Sequence, residues 1–136
     1  MFPRIDVPSH GELRGLELGD PGQLRQELTA LVVAGTKTAT AGRLSEYGDE
    51  DEPLEHVGER LALLDDDGRP MGTVVVTAVE VVPFTEVTWS FAQAEGEGFT
   101  DIEDWRVRHR RFWLRTEGVD VADDEPIVML CLRYDA

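Results

Sequence analysis

The sequence predicts an α+β domain with a mostly antiparallel, barrel-like sheet and flanking helices. The predicted elements follow the order helix, strands, two helices and a last strand, which is typical of α+β domains. Both alternating faces of the valine-rich segment 73–82 are largely apolar. Such a strand is expected to be covered on both sides, in a barrel or in a sheet packed by helices. The apolar stretch "IVMLCLRY" predicts the closing strand.

The length of 136 residues fits a single domain, which we assign to residues 1–136. Residues 1–19 are expected to form an irregular extension, because prolines and glycines interrupt them. The segment lacks the order of a signal peptide, and no apolar run is long enough to span a bilayer, so we expect a cytoplasmic location and no membrane partner. The single cysteine, Cys131, excludes a disulfide framework, and no spacing indicates a metal or cofactor.

The balance of acidic and basic residues limits the kinds of binding partner that are expected. Thirteen basic and 28 acidic side chains give a net charge of −15, which argues against a protein that coats duplex DNA. A local basic pocket for a nucleoside or a short single strand stays compatible with this composition. Many of the acidic residues lie in segments 46–55, 64–69 and 121–126, which are predicted to be solvated loops.

The first helix is predicted within "DPGQLRQELTALVVAG", residues 20–35. Asp20 is expected to cap it, and Gly35 is expected to end it in the left-handed conformation. Apolar residues recur at helical spacing along one face, namely at Leu24, Leu28, Leu31 and Val32.

The later elements are predicted from turn residues and caps. The threonines of "TKTATAGRL" favour a strand, and "DDDG" at 65–68 predicts a hairpin turn between two more strands. A short helix is expected at 85–94. A longer helix should begin at a capping box formed by Thr100 and Glu103 and should end at Gly118.

Two glycine-flanked loops contain candidate catalytic side chains. In "GTKTATAG" (35–42), Lys37 lies where exposed backbone N–H groups could form an anion cradle, although a helix end followed by an edge strand explains the same residues. In "AEGEGF" (94–99), Glu95 and Glu97 are candidates for acid–base chemistry, and the alternative is a polar connection between helices.

Aromatic and basic residues cluster in the long helix. Trp105, His109 and Trp113 share one face, where they could stack on a base or simply face the core. The concentrated positive charge of the chain is also here, and it could pair with the excess acid or contact phosphate; it comprises Arg106, Arg108, Arg110 and Arg111.

Taken together, these segments resemble the ASCH domain family of bacterial proteins, which has a PUA-like fold. The resemblance rests on "GTKTATAG", "VVPFTEV", "AEGEG" and the W-x-x-x-H-x-x-F-W pattern at their distances, and it covers roughly residues 24–134. The resemblance implies RNA binding or RNA-linked regulation. Some small members of the family are amidohydrolases that remove the acetyl group of N4-acetylcytidine.

By the same resemblance, the catalytic residues would be Lys37, Thr40 and Glu95. The residues expected to bind substrate are Gly35, Thr36, Thr38, Glu97, Trp105 and His109. The favoured hypothesis is a pocket for a nucleoside or a single-stranded RNA element, with hydrolysis of an acylated cytidine. Two alternatives are a non-enzymatic RNA-binding module and a metal-independent ribonuclease.

Overall fold

The computed structural model describes residues 2–136, and its elements are numbered here in chain order. They are β1 (Arg4–Val7), β2 (Gly11–Leu16), α1 (Gln23–Val33), β3 (Ala39–Arg43), α2 (Leu44–Asp49), β4 (Arg60–Leu64), β5 (Pro70–Pro83), a 3-10 turn (Phe84–Glu86), α3 (Trp89–Ala94), α4 (Ile102–Glu117) and β6 (Pro126–Asp135). The α+β class is therefore confirmed. No helix in residues 2–136 is both long and apolar enough to cross a membrane.

The six strands form one open sheet in the order β1-β2-β4-β5-β6-β3. Only β2 and β4 pair in parallel, and every other pair is antiparallel. The expected barrel is wrong, because the edge strands β1 and β3 do not pair with each other and the sheet stays open. The apolar faces of the strands are covered by helices instead.

Separate apolar clusters cover the two faces of the sheet. On one face, Leu28 and Val32 of α1 pack with Val128 and Leu130 of β6. On the other face, residues of α3 and α4 pack with the intervening residues of β6; they include Phe91, Trp105, Trp113, Ile127 and Met129. Because successive strand residues point to opposite faces, both sides of β6 are buried without barrel closure.

The N-terminal segment is not irregular, which corrects the expectation for residues 1–19. Strands β1 and β2 form a hairpin, and β2 pairs with β4. Ion pairs connect this hairpin to the rest of the protein. Arg4 Nη2 lies 2.9 Å from Glu52 Oε2, and Arg14 Nε lies 3.0 Å from Glu59 Oε2. The hydrogen bond from Arg4 lowers the pKa of Glu52 to about 2.

The acidic segment 46–55 is not a solvated loop either. Its first residues belong to α2, and Glu52 and Glu55 are buried. Tyr47 donates a 2.8 Å hydrogen bond to Glu55 Oε1, so that a buried donor satisfies this carboxylate. Some of the acidic side chains of this segment therefore contribute to the packed fold and are not exposed to solvent.

Two predicted helix caps lie at other residues than expected. Gly22 precedes α1 without a side-chain cap, and Asp20 instead contacts Arg115 at 3.2 Å. The cap of α4 is Asp101, which accepts from the Asp104 N–H at 2.7 Å, so the expected Thr100 cap is one residue early. The glycine ends are confirmed, since Gly35 and Gly118 have φ values of 80° and 68°.

Candidate functional site

The turn after α1 fixes the position of Lys37. The Gly35 N–H donates to Val32 O and the Thr36 N–H donates to Leu31 O, each at 3.0 Å, which is the Schellman pattern that closes a helix. The Lys37 N–H also donates to Leu31 O at 3.0 Å. The backbone of Lys37 is thus held against the end of α1 before β3 begins.

The loop after α3 packs directly on this turn. The Thr38 N–H donates to Ala94 O at 2.8 Å. Gly96 has a φ of 67°, and a Cβ atom added to it would lie 2.3 Å from the carbonyl oxygen of Thr36. Only glycine fits this contact, because both the backbone conformation and the available space exclude a side chain. The two glycine-containing loops predicted from the sequence are therefore in contact.

The contact brings one ammonium group against two carboxylates. Lys37 Nζ lies 2.7 Å from Glu97 Oε2 and 3.4 Å from Glu95 Oε2. The side chains of Lys37 and Glu95 are 1% and 2% exposed, whereas that of Glu97 is 17% exposed. Glu97 is therefore the carboxylate of this cluster with access to the surroundings.

Helix α4 supplies the groups that hold Glu95. The Trp105 indole N–H donates to Glu95 Oε1 at 2.7 Å, and His109 Nε2 lies 3.8 Å from Glu95 Oε2. His109 Nδ1 lies 2.9 Å from the Trp105 carbonyl oxygen, and its ring stacks on Trp105 with centroids 4.0 Å apart. Because a carbonyl oxygen can only accept, Nδ1 is the donor in that contact, and Nε2 is the ring nitrogen that faces Glu95.

The pKa values of the two carboxylates are shifted in opposite directions. Burial acts to raise the pKa of Glu95, but Lys37 and His109 outweigh it and lower that pKa to about 2. Burial raises the pKa of Glu97, and the negative charge of Glu95 adds to this effect against the attraction of Lys37. Glu95 is therefore a fixed anion, and Glu97 is the carboxylate better suited to exchange a proton.

A cavity of about 430 Å³ opens onto this cluster. Five of the sequence-predicted residues line it: Lys37, Thr40, Glu95, Glu97 and His109. The Thr40 hydroxyl forms no hydrogen bond with any other residue in the described part of the chain, 2–136. The volume falls within the range of about 300–1,000 Å³ that is usual for small-molecule sites.

The other predicted substrate-binding residues do not line the cavity. Gly35 and Thr36 form the exposed turn after α1, and the Thr38 hydroxyl donates to Ala94 O at 3.2 Å. Trp105 is fully buried and contacts the site through Glu95 and His109.

The predicted catalytic and substrate-binding residues did not include three arginines of α4. Arg108, Arg111 and Arg115 line the same cavity as Lys37. Their spacing of three and four residues places them on one helix face, which is the signal that could have identified them.

A second cavity of about 420 Å³ adjoins the first. The two share Thr40 and Ala41 of β3, Phe112 and Trp113 of α4, and the segment 18–20. The second cavity contains no lysine or arginine among its lining residues, and its carboxylates are Glu17, Asp20, Glu46, Glu50, Glu55 and Glu117. Within residues 2–136, no group of three His, Cys, Asp or Glu side chains could hold a metal ion.

The protein is thus an α+β domain with an open sheet, flanking helices and a buried lysine–carboxylate cluster beside a cavity of small-molecule size. The chain belongs to the ASCH domain family, whose model matches residues 16–134. A search of curated proteins finds no match.

Solved structures agree with this assignment. A protein of Enterococcus faecalis V583 is 32% identical, with a TM-score of 0.76 over 88% of this chain and 74% of its own. The ASCH domain of Lactobacillus crispatus is 25% identical, with a TM-score of 0.70 over 81% of this chain and 71% of its own. An ASCH protein of Zymomonas mobilis, at 18% identity and a TM-score of 0.53, covers 79% of this chain and 63% of its own and is similar in fold alone.

Proposed function

We propose that the cavity binds a nucleoside and hydrolyses an N4-acylated cytidine. The observation that carries this proposal is the buried Lys37 between two carboxylates on the wall of a cavity that Thr40 also lines. Amide hydrolysis needs a nucleophile, a positive group for the oxyanion and a proton donor for the leaving amine. The site contains one side chain suited to each task.

The reaction breaks the bond between the acyl carbon and N4 of cytosine. Thr40 either attacks the carbonyl carbon or positions the water that does so; in both cases water supplies the oxygen of the carboxylic acid product. Lys37, as an ammonium, donates a hydrogen bond to the oxyanion. Glu97 takes the proton of the nucleophile and returns it to N4, in keeping with its raised pKa and its partial exposure. Glu95 stays ionised and orients Lys37.

Incubation with N4-acetylcytidine, followed by chromatography for cytidine and acetate, tests the proposal. We expect turnover by the wild type and a loss of about 100-fold or more in Lys37→Met and Thr40→Val, the size typical of removing one group from such a site. Thr77→Val is the matched control, because Thr77 is an exposed strand threonine outside both cavities. Absence of cytidine with the wild type would refute the hydrolase, and full activity of Lys37→Met would refute the site.

A second function, binding of a single-stranded RNA element without chemistry, is favoured by the arginines that line the cavity. Guanidinium groups beside a pocket can contact phosphate while a base enters it. The distinguishing result is a labelled single-stranded RNA that binds the wild type while N4-acetylcytidine stays intact.

A further inference from the structure

The charges around the two joined cavities are strongly asymmetric. In the cavity that contains Lys37, three arginines (Arg108, Arg111 and Arg115) lie beside three carboxylates, whereas the adjoining cavity is lined by six carboxylates without a lysine or arginine. An anionic group is therefore favoured at the end of the cleft with the arginines and disfavoured at the other end, where it would meet only like charges.

The three arginines differ in their availability to a ligand. Arg108 Nη1 lies 3.6 Å from Asp104, and its guanidinium covers the Phe99 ring at 4.5 Å. Arg115 Nη2 lies 3.2 Å from Asp20. Arg111 is exposed and has no ion pair or hydrogen bond with any residue in the range 2–136.

Arg111 is unusual for this protein in being unpaired at a cavity. The other arginines without an ion pair to a described residue are Arg69 and Arg133, and neither lines either of the two joined cavities. In a chain with 28 acidic and 13 basic side chains, an available guanidinium beside a binding cavity indicates an anionic ligand group.

We infer that the ligand is a nucleotide with a single phosphate group, which Arg111 binds, and not an internal segment of a longer strand. This inference rests on the proposed nucleoside site and adds the phosphate to it. One unpaired guanidinium accommodates one phosphate. Paired arginines on both sides of Arg111 and the carboxylates of the second cavity disfavour the further phosphates of a continuing strand.

Calorimetric titration of the wild type with cytidine, cytidine 5′-monophosphate and a short oligocytidylate tests this inference. We expect the monophosphate to bind about tenfold more tightly than cytidine, as one charge-assisted contact allows, and at least as tightly as the oligomer. Arg111→Gln should abolish the advantage of the monophosphate and leave the affinity for cytidine unchanged. Arg69→Gln, at an exposed arginine of the β4–β5 turn that lines neither of the two joined cavities, should retain the advantage.

The outcomes separate the two proposals. Equal affinities for cytidine and its monophosphate, or an advantage that survives in Arg111→Gln, would overturn the inference and leave the nucleoside site standing. Much tighter binding of the oligomer would overturn it in favour of an RNA strand. Failure of both cytidine and the monophosphate to bind would overturn the nucleoside site and the inference together.

Discussion

Lys37 is the residue on which the site depends. An ammonium group that is almost fully buried is costly unless opposite charges and hydrogen bonds compensate it. Glu95 and Glu97 provide that compensation, and each carboxylate in turn depends on Lys37. Because removal of one member leaves charge uncompensated in the interior, the cluster is maintained as a unit.

Trp105 is predicted to stabilise the cluster through its indole N–H. Trp105→Phe keeps the aromatic packing but removes the 2.7 Å hydrogen bond to Glu95. We expect the free energy of unfolding to fall by about 2 kcal/mol, the typical value for a hydrogen bond to a charged group. Urea denaturation measures it. Trp89→Phe, at a half-buried tryptophan without a hydrogen bond to a described residue, is the control, and equal losses in both variants would contradict this role of the indole.

Gly96 gives a sharper test of how the two loops meet. Gly96→Ala would force a Cβ atom to 2.3 Å from the Thr36 carbonyl oxygen and would also strain a φ of 67°. Gly98→Ala has a similar φ of 81° but no atom within 4 Å of the added Cβ.

We therefore expect Gly98→Ala to lower the free energy of unfolding by about 1 kcal/mol from backbone strain alone, and Gly96→Ala to lower it by at least about 3 kcal/mol. Chemical denaturation of the two variants side by side measures the difference. Similar losses would mean that the loops separate readily, and the position of Lys37 would then not depend on this contact.

The residue pattern indicated the two loops but not the interaction between them. Fifty-eight residues separate Lys37 from Glu95, and no periodicity in one sequence links positions so far apart. Only the resemblance to a known family placed Lys37 and Glu95 in one predicted site. The indole bond from Trp105 to Glu95 was not predicted, because a tryptophan on an apolar helix face is equally compatible with simple core packing.

At the scale of elements, α1, α4 and the β4–β5 hairpin could be predicted because their apolar periodicity and turn residues agree. The β1–β2 hairpin could not. Its strands are short and carry several charged residues, and partners distant in the chain, Glu52 and Glu59, bind its arginines. Tertiary ion pairs of this kind leave no local pattern.

The face assignment of β5 shows a second limit. Strict alternation would place Val76 and Val79 on opposite faces. A bulge between Val76 and Ala78 shifts the register, so that Val76 pairs with Leu132 and Val79 with Leu130, on the same face of the sheet. A single extra residue in a valine-rich strand is not visible as a change in composition.

The junction of α2 and α4 is predicted to make stability depend on pH. Burial, together with a hydrogen bond to Glu117 and its negative charge, raises the pKa of Glu46 from 4.5 to about 8. The folded state therefore holds this proton more tightly than the unfolded state. The stabilisation is complete below about pH 4.5 and is lost as the pH rises through about 8.

The glutamine of Glu46→Gln cannot ionise, so this variant does not lose stability as the pH rises through this window. Its free energy of unfolding, relative to that of the wild type, should therefore increase with pH, by about 2 kcal/mol at alkaline pH. This value is reduced because the group is partly exposed. Denaturation at acid and alkaline pH measures the gain. Glu86→Gln, which removes an exposed carboxylate, reports the general effect of one charge fewer. A difference between Glu46→Gln and the wild type that does not vary with pH would contradict the raised pKa of Glu46.

At the scale of the whole molecule, basic side chains are few compared with acidic ones. Most arginines neutralise carboxylates in the fold, for example at Arg4, Arg14 and Arg60. The cavity beside Lys37 has three more, in a protein whose net charge is −15. The charged residues that line this cavity, four basic and three acidic, are therefore close to balanced, so a small anion is repelled less there than by the protein as a whole.

The same excess of acid predicts that salt stabilises the protein. With 28 acidic and 13 basic side chains, repulsion among unpaired carboxylates exceeds the attraction within surface ion pairs. Raising the ionic strength from about 0.01 M to about 0.15 M shortens the screening length from about 30 Å to about 8 Å and weakens long-range repulsion more than contacts at 3 Å. The thermal midpoint of unfolding should therefore rise over this interval.

The double variant Glu86→Gln/Asp124→Asn, which loses two exposed acidic charges, should have a higher midpoint than the wild type in low salt and a smaller increase on addition of salt. A midpoint that falls with salt in the wild type would mean that the ion pairs of the folded state, and not the net charge, dominate its electrostatic free energy.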